Sequence, residues 1–105
     1  MTRLDSLRAQ LNGPRDGALL RYSLGTALLE AGDAAEAMVH LRAALDFDTG
    51  YSAAWKQLGH ACQRAGDAPA AAEAWRHGIA AAEARGDVQA AKEMRVFLKR
   101  LEAGG

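Results

Sequence analysis

The stretches "EAGDAAEA" (30–37) and "RAGDAPAA" (64–71) place one corner twice, with Gly32 and Gly66, and likewise Asp33 and Asp67, 34 residues apart. Laying 18–51 over 52–85 without a gap gives nine identities, among them Leu24-Gly25 with Leu58-Gly59, Ala27 with Ala61, Ala37 with Ala71 and Arg42 with Arg76. They cluster at turn and small-residue positions, where geometry is least forgiving. A fixed period of this length marks stacked supersecondary units that bury their apolar faces against one another.

The corner has a mechanical reading. Glycine takes the left-handed conformation that ends a helix, at little steric cost. Aspartate then caps the next helix by accepting from a free backbone N–H. Pro69, just inside the helix that Asp67 starts, fits a first turn where no N–H is needed. Gly-Asp therefore means helix, tight turn, helix. The spacing predicts helices over 3–11, 16–31, 34–47, 51–65, 68–84 and 87–102, with Asn12-Gly13-Pro14 ending the first. Composition agrees: 25 alanines stand against three valines, one isoleucine and three threonines, which favours helix over strand. The expected fold is all-α, about six helices, with short loops that make neighbours antiparallel.

Paired helices at this period resemble the tetratricopeptide repeat, whose pattern runs Trp-x2-Leu-Gly-x2-Tyr, then Ala-x3-Phe, then Pro. The second copy keeps Trp55, Leu58, Gly59 and Ala71, with Cys62 in the tyrosine place and Trp75 in the phenylalanine place. The first keeps Leu24, Gly25, Ala37 and Ala44, but has Arg21, Leu28, Leu41 and Thr49 at the other positions. The resemblance implies a right-handed α-solenoid of antiparallel pairs. It divides one domain, 1–105, into an N-terminal helix (1–15), repeat 1 (18–51), repeat 2 (52–85), a capping helix (86–102) and a tail (103–105). Trp55 and Trp75 then belong to the core and Tyr51 to the turn between repeats.

"AEARGDVQAA" (82–91) contains Arg85-Gly86-Asp87, which has the look of an adhesion triplet. Beside the other two corners its Gly-Asp is a third use of the same turn, arriving 20 residues after Gly66 rather than 34. It marks the end of the array. The helix that follows sets Val88, Ala91, Met94, Phe97, Leu98 and Leu101 on one side and Gln89, Lys92, Glu93, Arg95, Lys99 and Arg100 on the other, as a cap requires. The N-terminal helix, with Leu4, Leu7 and Leu11 on one stripe, either caps the opposite end or reaches for a partner.

Chemistry finds no foothold. His40, His60 and His77 lie on three predicted helices, and His60 and Cys62 point to different sides of one helix. No catalytic residues, metal ligands or cofactor are expected, and the chain is not read as an enzyme. Thirteen basic residues balance thirteen acidic ones, which argues against nucleic acid as a partner. No apolar run is long enough for a membrane span, and "MTRLDSLRAQ" lacks a signal-peptide core, so the expected compartment is the cytoplasm.

What remains is binding. Tyr22, Thr26 and Glu30 share one helix face by their four-residue spacing, and Lys56, His60 and Arg64 stand at the same places 34 residues on. Leu19, Leu29, Ala53 and Gln63 flank that stripe. The family resemblance implies that these side chains line a concave groove for a peptide or partner protein. Lys56, His60, Arg64 and one of Lys92 or Arg95 would form a cationic wall, pointing to an acidic ligand segment. Some members of the family grip a terminal carboxylate with lysines and asparagines. Tyr22, Thr26 and Gln57 depart from that set, so the specificity does not transfer. The competing expectation is a self-associating subunit, a homodimer joined through Leu4, Leu7 and Leu11.

Overall fold

The computed structural model describes residues 1–104. Six α-helices follow one another, with no strand among the described residues: α1 (Arg3–Arg8), α2 (Ala18–Glu30), α3 (Ala34–Phe47), α4 (Ser52–Arg64), α5 (Ala68–Arg85) and α6 (Val88–Gly104).

All three Gly-Asp corners have one geometry. Gly32, Gly66 and Gly86 hold φ of 89°, 84° and 75°, a region that penalises any residue with a Cβ. The N–H of the next aspartate reaches back to the carbonyl of Leu28, Cys62 or Ala82, at 2.9, 2.9 and 2.8 Å. That bond closes a Schellman turn. The same aspartates then accept from the N–H of Glu36, Ala70 and Ala90 at 3.0, 3.0 and 3.1 Å. Each one seals the end of one helix and the start of the next. Arg85 ends α5 and pairs with Asp48 at 2.6 Å, so the Arg-Gly-Asp triplet is a corner.

The N-terminal boundaries differ from those the sequence predicts. Beyond Arg8 the N–H groups of Gln10 and Leu11 bond three residues back, and Asn12 turns left-handed at φ 63°. The first helix therefore stops short of Leu11. Asp16 does not cap α2: its carboxylate accepts from Arg21 Nε and Nη2, both at 2.8 Å, and from the Asn12 N–H at 2.9 Å. Those bonds, Arg21's foremost, hold its carboxyl well below the usual carboxylate range. The helix starts at Ala18 instead, after a Gly17 with no side-chain cap.

Packing makes two layers. In one, α2 touches α4 and α4 touches α6. In the other, no Cα of α3 comes within 8 Å of a Cα of α5. A stack whose helices meet on one side and part on the other is curved, with the α2–α4–α6 layer inside. Between the layers lie Trp75, Leu24, Leu28, Leu41, Met94 and Cys62, all but sealed from solvent. Helix pairs approach closely at glycines: a Cβ at Gly25 would meet Leu41, one at Gly59 would meet Trp75, and one at Gly78 would meet Met94. The Trp75 indole N–H donates to the Lys56 carbonyl at 3.1 Å, which fixes the ring over Gly59. Leu4, Leu7 and Leu11 pack against this core, so the N-terminal segment closes one end of the stack, helped by Arg8–Glu36 at 2.9 Å.

Candidate functional site

The inner layer brings the predicted stripe onto adjacent helices, but its members differ in what they can offer. Glu30, Gln63 and Arg64 are exposed. Leu19 is 69% exposed and sits toward α1, beside a cleft lined by Leu7 and Leu20. Tyr22 is half-buried, its ring 5.0 Å from that of Tyr51. The Thr26 hydroxyl is enclosed and has no hydrogen-bond partner among the described residues. Leu29 is a correction: at 5% exposure it belongs to the core, because it faces the neighbouring helices rather than the stripe.

The expected cationic wall is largely engaged within the chain. Lys56 Nζ lies 3.2 Å from Glu93 Oε1 on α6. Arg64 Nη1 donates to the Leu29 carbonyl at 3.1 Å, closing the last turn of α2. His60 is wedged edge-on between Trp75 and Phe97, with ring centroids 5.3 and 4.6 Å away. Burial, and then the charges of Lys56 and Arg64, push its pKa down, which favours the neutral ring. Of the two candidate α6 cations, Arg95 pairs with Glu83 on α5. Lys92 is exposed and has no ion pair among the described residues.

Glu93 and Phe97 were not in the predicted set. Both enter because α6 takes the place of a third inner helix, which the broken 34-residue period conceals. The outer face also holds a feature the sequence did not single out. Where α3 and α5 part, a cleft of about 180 Å³ opens over α4, lined by Arg42, Trp55, Leu58, Cys62, Glu73 and His77 among others. Trp55, expected in the core, is partly buried: it packs against the core and stacks on His77 of α5, while its remaining surface opens to this cleft.

His40 pairs with Glu36 at 3.4 Å, and His77 with Glu73 at 3.6 Å. Cys62 is buried, and burial pushes its thiol pKa up, away from the reactive thiolate. Among the described residues no group of three or more His, Cys, Asp or Glu could hold a metal, and no helix is long and apolar enough to cross a membrane.

No protein-family model matches the sequence. The chain is 48% identical over 99 residues to a TPR repeat-containing protein of Pseudomonas aeruginosa, and the match covers 94% of each. It also resembles a protein of Bordetella parapertussis known from its solution structure, at 46% identity and a TM-score of 0.86, over 99% of this chain and 90% of that one. A crystal structure of MamA superposes with a TM-score of 0.71 at 22% identity, over 95% of this chain and 65% of that one, a likeness of fold alone.

Proposed function

The chain belongs to the tetratricopeptide-repeat family, and from that premise we propose that it is a protein-interaction module whose inner α2–α4–α6 layer holds a segment of a partner protein. One observation carries the reading. The layer is continuous, and it presents Tyr22, Glu30, Lys56, His60 and Gln63 on helices fixed from behind by buried side chains. Rigid presentation of a few aromatic and polar groups is how such surfaces gain affinity without chemistry.

The partner segment we propose is an extended peptide with an acidic residue. That residue exchanges with Glu93 at Lys56, so one ion pair replaces another. The gain from charge is small, and Tyr22 with the His60–Phe97 edge supplies the apolar contact. Affinity capture with the wild type beside a Tyr22→Ala/Lys56→Glu variant tests the site. A partner held by the first and lost by the second, with both chains equally helical, is the expected result. Binding insensitive to salt and to Lys56→Glu/Arg64→Glu would remove the acidic ligand while leaving the module.

A further inference from the structure

We propose that the outer cleft between α3 and α5 is a second binding site, for an apolar side chain carried next to a carboxylate. It lies on a different stripe of α4 from Lys56 and His60: Trp55, Leu58 and Cys62 face it, spaced three and four residues apart. Its volume of about 180 Å³ falls below the range of roughly 300–1,000 Å³ that holds a drug-sized molecule. One side chain fits.

The walls are pre-formed. Trp55 donates its indole N–H to the Thr49 carbonyl at 2.8 Å and stacks on His77, with centroids 4.9 Å apart and planes 19° from parallel. Glu73 on α5 also lines the cleft, with a carboxylate oxygen 3.6 Å from His77 Nε2. Leu58 and Ala74 give an apolar floor.

Arg42 supplies the polar anchor. It is exposed at the rim, and its guanidinium has no ion pair among the described residues. The same position one period on is Arg76, which is neutralised by Glu102 of α6 at 3.0 Å. Only the first of the two matched arginines is left open, and it is the one over a cleft. A guanidinium takes a carboxylate through two parallel N–H donors. An α-carboxylate beside an apolar side chain comes from two sources, the last residue of a peptide or a free amino acid.

The test is an NMR titration of the whole chain with N-acetyl-leucine, leucine and N-acetyl-leucinamide, followed at the Trp55 indole N–H and at Ala70 and Ala74. The two carboxylates shift these signals and the amide does not. Tighter binding of N-acetyl-leucine assigns the site to peptide ends, and tighter binding of leucine to the free amino acid. Arg42→Gln weakens binding at least about tenfold, while Arg76→Gln leaves it unchanged. No shift at about 10 mM ligand, enough to reveal a millimolar Kd, overturns the proposal. So does an equal response to the amide, or binding that survives Arg42→Gln. Partner capture by the inner face is untouched in each case, so the two readings fail separately.

Discussion

The pair α2/α3 and the pair α4/α5 share a frame and differ in what they hang on it. Both approach over a glycine, both turn at Gly-Asp, and both put an arginine at the same outer position. The knob over Gly25 is Leu41, with no polar anchor, whereas that over Gly59 is Trp75, pinned by its bond to the Lys56 carbonyl. On the inner face Tyr22, Thr26 and Glu30 are answered by Lys56, His60 and Arg64. On the outer face one arginine is paired and the other free. Geometry was kept between the two copies at the contacts and corners, while the surfaces diverged. Divergent surfaces on a common frame are where recognition is expected.

The frame should break unequally. Gly59→Ala drives a methyl into an indole that cannot turn aside, and is expected to cost about 2–3 kcal/mol. Gly25→Ala meets a leucine with other rotamers and is expected to cost about 1 kcal/mol. Thermal unfolding by circular dichroism checks this, since each kcal/mol moves Tm by roughly 4–8 °C in a domain of this size. Equal losses would show that the tryptophan is not held as described.

The corners are expected to behave alike. Asp33→Ala and Asp67→Ala each remove one cap, for about 1 kcal/mol apiece. A cap in one pair worth several times that in the other would undo the equivalence.

A smaller effect separates the pairs by pH. The folded pKa of His60 is depressed by burial, so the neutral form stabilises the second pair. That contribution is complete above the unfolded histidine pKa, about 6.5, and is lost as pH falls below it. Urea midpoints measured from pH 8 to pH 5 should decline in the wild type and decline less in His60→Phe. Parallel curves would place the titration elsewhere.

The frame was legible in the sequence because turns obey local rules. Gly-Asp at a fixed period names the corner, and Gly25, Gly59, Ala37 and Ala71 name the close contacts. The start of α2 falls two residues beyond the predicted 16, where Asp16 is held outside the helix by Arg21 and by the Asn12 N–H. Leu29 lies in the core rather than on the stripe, because spacing along one helix does not say which neighbour covers each side. The engagement of Lys56 by Glu93 depends on where α6 packs, and the lengthened α5 hides that register. The outer cleft arises from a gap between helices, which no sequence pattern records.

If a partner seats on the inner layer as proposed, its arrival is visible in amide and side-chain NMR shifts measured across the chain on addition of a captured partner. The largest changes are then expected at Tyr22, Thr26, Lys56 and Gln63, with Glu93 responding as its pair with Lys56 opens. Changes confined to α3 and α5, with the inner layer silent, would overturn that placement.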